Sequence, residues 1–162
     1  MNLIVAVDRD WGIGLNNDLL FRIKADLRHF RNLTLGKTIV LGRKTLETFP
    51  NGKPLPGRTN IILTRQQHFH AEGAIICKDL PELWTALSGK DPDEIFIIGG
   101  ASVYELLLPY CHRAYITWID AATAADCRFP ELSGRTDWQL TDPGTWQTED
   151  QLNFRFQIYD KI

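Results

Sequence analysis

The sequence predicts a single α/β domain: a mostly parallel, twisted sheet of about eight strands with an antiparallel C-terminal edge and helices on both faces. Three observations carry that expectation. Short apolar runs rich in β-branched residues, at 3–7, 38–41, 60–64 and 94–100, alternate with helical stretches, and such continuous runs suit strands buried on both faces. Two of them end in glycine and run straight into a helix. Residues 153–159 instead alternate apolar and polar side chains, the pattern of a half-exposed antiparallel strand.

Composition narrows the function. The chain has 162 residues, 44% of them apolar, enough for one sizeable core spanning residues 1–162 as one domain. Its net charge of -2 lacks the basic excess of a nucleic-acid binder. Cys77, Cys111 and Cys127 are odd in number and widely spaced, so neither a disulfide framework nor a metal motif is expected. Free cysteines of that kind fit a reducing cytoplasm. The N-terminal apolar run meets Asp8 too early for a signal peptide. No run approaches the about 18 residues of a membrane helix.

Residues 3–7 read as the first strand. Residues 8–18, with Gly12, Gly14, Asn16 and Asn17, read as a long loop carrying Trp11 and Ile13. Such a loop is either a plain connection or a lid. The stretch 19–30 reads as the start of an amphipathic helix ending near Leu35 and Gly36, where glycine suits a C-terminal cap. Its apolar face, Ile23, Leu27, Phe30 and Leu33 or Thr34, carries one carboxylate, Asp26. That group is either a helix-dipole partner in the first turn or a carboxylate put to use, because burying it unpaired is costly.

The strand at 38–41 leads into Gly42-Arg43-Lys44-Thr45 and a short helix at 46–49, stopped by Pro50. Free N–H groups at such a turn suit an anion, although a basic helix start without a ligand has the same composition. Residues 51–57 are a loop. Arg58 precedes the strand at 60–64 and Arg65 follows it. Residues 74–77 form a fourth strand, and 80–87 a helix capped by Asp79 and stopped by Gly89. The strand at 94–100 ends in Gly99-Gly100 and continues as a helix at 101–108. That glycine pair suits either a phosphate approach or close helix–strand packing, and it lacks the three-glycine dinucleotide fingerprint. Strands at 113–120 and 138–141 complete the series.

Several of these segments together resemble dihydrofolate reductase of the bacterial chromosomal type. They are Ala25-Asp26-Leu27 with Phe30, residues 36–45, residues 54–60, Ile98-Gly99-Gly100, Tyr115-Ile116-Thr117 and Phe129-Pro130. They occur in that family's order and span nearly the whole chain. The resemblance implies NADPH-dependent reduction of 7,8-dihydrofolate to 5,6,7,8-tetrahydrofolate, which supplies one-carbon, thymidylate and purine metabolism. Hydride would pass to the pteridine imine carbon and a proton to the adjacent nitrogen. It also implies a monomer bound by antifolates such as trimethoprim.

By the same likeness Asp26 binds the pteridine amidine edge, since a carboxylate accepts two parallel hydrogen bonds from paired donors. Thr117 supports that carboxylate, and Phe21 completes the catalytic set. Arg58 holds the α-carboxylate of the substrate's glutamate tail with its planar fork. Ile4, Ala6, Leu27, Phe30, Phe49, Leu55 and Ile98 line the substrate, although plain core also accounts for Leu27, Phe30, Phe49 and Leu55. For the cofactor, Gly42, Arg43, Lys44 and Thr45 match a phosphate-facing turn. Arg43, Lys44 and Arg65 favour the 2′-phosphate of NADPH over NADH. Gly99 and Gly100 match a pair joined by a cis peptide, and Tyr104 a residue near the nicotinamide. Ile13 and Gly14 match a mobile loop that closes over that ring. Ala6, Leu19, Thr64, Ile98, Ala101, Ser102 and Val103 complete the cofactor set.

The chain departs from the pattern at four positions. Many members carry tryptophan where this chain has Phe21, and prolines where it has Leu20 and Lys24. Many have glycine where it has Ala125. Phe21 has no N–H to hold a water, so the details of proton delivery and inhibitor affinity are expected to differ. Two other readings share the fold: a riboflavin-pathway reductase, whose substrate has no tail for Arg58, and a non-catalytic nucleotide-binding module.

Overall fold

Alternation along the first strand, β1 (Asn2–Val7), divides the core in two. Leu3, Val5 and Val7 enter one cluster of buried side chains, and Ile4 and Ala6 point to the other face. The computed structural model, which describes residues 1–162, places β1 in the middle of the main sheet. The other strands are β2 (Gly12–Leu15), β3 (Asp18–Leu19), β4 (Thr38–Gly42), β5 (Thr59–Leu63), β6 (Ala74–Cys77), β7 (Ile95–Gly99), β8 (Arg113–Ile119), β9 (Cys127–Arg128), β10 (Trp138–Asp142), β11 (Gln147–Glu149) and β12 (Leu152–Lys161). The helices are α1 (Lys24–Thr34), α2 (Arg43–Glu47), α3 (Leu80–Leu87) and α4 (Ala101–Leu107).

The strand order is β10-β12-β8-β1-β7-β4-β5-β6. From β8 to β6 every pairing is parallel. The long strand β12 runs antiparallel to β8, and β10 and β11 pair with successive parts of it. The sheet is therefore the parallel one with an antiparallel C-terminal edge that the sequence predicts.

One face packs Leu3, Val40, Ile61 and Ile97 under Leu83 and Leu87 of α3 and Val103 and Leu107 of α4. The other packs Ile4, Ile39, Leu41, Ile62 and Ile98 under Leu46 of α2 and Phe30 and Leu33 of α1. Leu3, Ile39, Leu41, Ile61, Ile62 and Ile97 are fully buried, and each such side chain contributes about 1.5–3 kcal/mol of apolar transfer. These stiff central strands give the site a fixed floor.

Three expectations need correction. The loop at 8–18 contains a hairpin. Asn16 (φ 52°) and Asn17 (φ 60°) both adopt left-handed backbone, and the pairing of Leu15 with Asp18 around them matches a two-residue turn that needs positive φ at both positions. Strands β3, β2 and β9 form a separate small sheet, with Gly14 opposite Cys127. Second, α1 begins at Lys24 rather than at 19. Leu19 belongs to β3, and Ile23 is extended at φ -93° and ψ 122°. Third, α2 begins at Arg43 and ends at Glu47, ahead of the 46–49 expected. By contrast α3 has the expected bounds, with Asp79 Oδ1 accepting from Glu82 N at 2.9 Å.

Candidate active site

In open parallel sheets, ligands bind beyond the carboxyl ends of the strands. Here β4 runs into α2 and β7 into α4, while α1 lies over the face bearing Ile4 and Ala6. Asp26 stands in the first turn of α1. Thr117, on β8 in register with Ala6 of β1 and Phe156 of β12, donates from Oγ1 to Asp26 Oδ1 at 2.6 Å. Asp26 is half-buried. Surrounding protein raises its carboxyl above the ordinary value, and the Thr117 hydrogen bond opposes part of that rise. Tyr104 of α4 is buried and donates from its hydroxyl to Ile4 O at 2.7 Å. Burial, and secondarily the Asp26 charge, push the phenol upward, so it stays protonated.

Arg58 is half-buried. Nη1 donates to Pro56 O at 2.8 Å and Nε to Thr34 Oγ1 at 3.2 Å, with the guanidinium carbon 5.9 Å from the centre of the Phe30 ring. Two of its five N–H donors are so occupied. Burial, then the nearby charge of Arg31, lower its proton affinity. Arg31 is thus a second cation beside Arg58. Arg31 itself lies exposed in the last turn of α1.

Leu27, at 45% exposed, is no core residue; it lies open on α1. Phe30, Phe49 and Leu55 are half-buried against the core under α1, whereas Ile4 and Ile98 are buried in it. Phe21 packs with Ile23, Ile119 and Phe154 in a small satellite cluster.

Across the cleft the two glycine turns lie side by side, because Leu41 pairs with Gly99. A Cβ on Gly42 would sit 3.2 Å from Val103 Cγ2, and one on Gly100 3.4 Å from Thr45 Oγ1. The Gly99–Gly100 peptide is cis. Arg43 is ion-paired with Glu47 one turn on. Lys44, Arg65 and Ser102 are exposed, Thr45 and Ala101 half-buried, and Thr64 and Val103 buried. Val103 is part of the core beneath α4.

The small sheet is tied down at both ends. Asp8 Oδ1 accepts from Gly12 N at 2.7 Å and Asp10 N at 2.9 Å, and its Oδ2 accepts from Thr123 Oγ1 at 2.5 Å. Asp126 N donates to Gly14 O at 3.0 Å, and Asp126 Oδ2 accepts from Asn16 N at 3.0 Å. Ile13 and Gly14 are half-buried in this sheet, and Leu19 is exposed beside them.

A family model described as dihydrofolate reductase matches residues 1–161. The chain is 35% identical to the dihydrofolate reductase of Bacillus subtilis, over 99% of its own length and 94% of that relative's. It is 36% identical to the enzyme of that name from Mycobacterium tuberculosis, over 98% and 95%. With that of Haemophilus influenzae the identity is 40%, over 86% and 83%. The chain belongs to the dihydrofolate reductase family.

Within this dihydrofolate reductase fold the departures have local reasons. A Cβ on Gly12 would fall 2.6 Å from the Ala125 Cβ, so the methyl at 125 is accommodated because residue 12 is glycine. Lys24 keeps a backbone N–H that proline would lack, and that N–H donates to Glu149 Oε2 at 2.6 Å. Glu149 escaped the sequence reading altogether: β11 is short, polar and far from α1 in the chain.

Proposed function

We propose that this reductase transfers hydride from NADPH to 7,8-dihydrofolate, giving 5,6,7,8-tetrahydrofolate. The observation that carries the reading is Asp26, the one carboxylate on the apolar face of α1, clasped by Thr117 at 2.6 Å. Its oxygens suit the paired donors of the pteridine amidine edge, and the Thr117 bond sets the plane in which they are offered. The ionised carboxylate then favours positive charge on the pteridine and so raises the proton affinity of the imine nitrogen. Asp26 acts there through charge and hydrogen bonding, and Phe21 walls the site without offering a donor. Arg58, with Arg31 beside it, attracts the carboxylate of the glutamate tail. Leu27, Phe30, Phe49 and Leu55 enclose the rings, over Ile4, Ala6 and Ile98.

The residues present fit the cofactor. Gly42, Gly99 and Gly100 let two backbone turns approach closely, Thr45, Thr64 and Ser102 bring hydroxyls, and Arg43, Lys44 and Arg65 bring positive charge. That donor set suits phosphates, including the 2′-phosphate that separates NADPH from NADH. When bound, NADPH supplies the hydride. Tyr104 braces Ile4 beneath the reacting rings, with Ala6 and Ala101 completing the wall and Val103 supporting the α4 turn from the core beneath it. Ile13, Gly14 and Leu19, on the small sheet, serve as a lid that keeps water off the hydride donor. The reading extends to a cytoplasmic monomer inhibited by antifolates such as trimethoprim.

The test is NADPH absorbance, which falls when dihydrofolate is added to the purified protein. No oxidation by a folded protein that binds NADPH overturns the reading.

A further inference from the structure

The Asp26 helix starts without a cap of its own. Its N-cap residue, Ile23, has no side-chain oxygen, yet the first N–H groups of a helix need acceptors. They find them far away in sequence. Glu149 Oε2 accepts from Lys24 N at 2.6 Å, and Glu149 Oε1 accepts from Ala25 N at 3.1 Å. The next residue is Asp26. The two oxygens of one carboxylate therefore hold two consecutive N–H groups immediately before the residue that Thr117 holds from the other side. Such a carboxylate also sits where the helix dipole favours negative charge.

The start of α1 is also held by Ile23, buried at 3% exposed against Ile119 and Phe154, with Phe21 and Ala25 packed on the same cluster. Arg22 and Lys24 on either side of it are exposed. Lys24 and Glu149 also account for each other. A proline at 24 would need no acceptor, and the extended backbone of Ile23 is the conformation that precedes proline. With lysine there, an N–H is left over, and Glu149 takes it.

We propose that Glu149 is a positioning residue for Asp26: its carboxylate fixes the first turn of α1, so that Asp26 meets the pteridine edge in a preset orientation. Two parallel hydrogen bonds tolerate little angular error, and small misplacement of such a group slows turnover. The inference rests on the reading of Asp26 given above.

The experiment compares turnover at saturating dihydrofolate and NADPH for the wild type, Glu149→Ala, Asp26→Asn and the double variant. Glu149→Ala lowers kcat roughly fivefold to tenfold and raises KM for dihydrofolate, leaving KM for NADPH in place. In the Asp26→Asn background the same change has no further effect, because the group it positions is gone. Lys24→Pro alone keeps wild-type turnover and restores part of the loss when combined with Glu149→Ala. Should Glu149→Ala fail to fold, Glu149→Gln, which keeps one acceptor oxygen, carries the same comparison. Equal losses in the two Asp26 backgrounds, or no rescue by proline, overturn the inference alone. Unchanged turnover in Asp26→Asn itself removes the reading of Asp26 and the inference with it.

Discussion

On the α2–α4 side of the cleft the chain offers mainly backbone. Two strand ends, each closed by glycine, lie next to each other, and a side chain at Gly42 or Gly100 would meet Val103 or Thr45 at 3.2 and 3.4 Å. On the α1 side it offers side chains: Asp26 clasped by Thr117, and Arg58 propped by Thr34 and Pro56. Backbone N–H groups suit any phosphate, so under the proposed function selectivity there falls to Arg43, Lys44 and Arg65. Side chains held in one orientation suit one molecular edge. The two sides should therefore fail differently when mutated.

The largest effect is expected at Asp26. Asp26→Asn should slow turnover roughly 10²-fold or more, within the usual range for acid–base groups, and most at high pH where the imine is unprotonated. A pH–rate profile checks this. The same substitution separates function from stability. Burial raises the Asp26 carboxyl above 3.8 in the folded chain. The contribution of Asp26 to stability is thus fully present below 3.8 and is lost as pH rises through the folded value. Asp26→Asn should accordingly gain stability over the wild type at neutral pH, and the gain should shrink on acidification; melting curves across pH measure it.

Arg58→Ala comes next. It should weaken dihydrofolate binding by about 2–4 kcal/mol, the scale of a charged group losing its partner, with NADPH affinity unchanged; titration of each ligand separates the two. On the backbone side Gly99→Ala should act first on stability. Gly99 has φ 120°, and a Cβ there would lie 3.2 Å from the Tyr104 ring. A loss of about 1–3 kcal/mol is expected, read by denaturant unfolding. The smallest effect is Arg65→Ala, an exposed cation worth about 1 kcal/mol or less. The ratio of kcat/KM for NADPH to that for NADH should fall by several-fold, with turnover itself unchanged.

What could be read from sequence follows the range of the forces involved. The apolar runs of β1, β4, β5 and β7 carry their own burial signal, and β6 and α3 carry their bounds, Asp79 and Gly89 punctuating the latter. The β2–β3 hairpin was hidden because its turn chemistry, Asn16-Asn17, sits among glycines that also mark a loop. β9 and β11 are too short and polar to show any period. The start of α1 was misplaced because its cap, Glu149, lies 125 residues from Lys24. In the site, the Asp26–Thr117 pair spans 91 residues, so family likeness could suggest it while spacing could not. Arg31 is an exposed cation whose charge is felt at Arg58, a pairing that no spacing in the sequence shows.

The pairing of β9 with β2 has a chemical consequence. Cys77 and Cys111 are each 2% exposed, whereas Cys127 is half-buried and stands opposite Gly14. Burial and the neighbouring Asp126 charge hold its thiol above the ordinary value, so alkylation there is slow at neutral pH and quickens as pH rises. A thiol reagent thus finds one slow target, and it lies on the strand that anchors the hairpin. The rate of its incorporation therefore follows the thiolate fraction of a half-buried group on β9, and rises with pH.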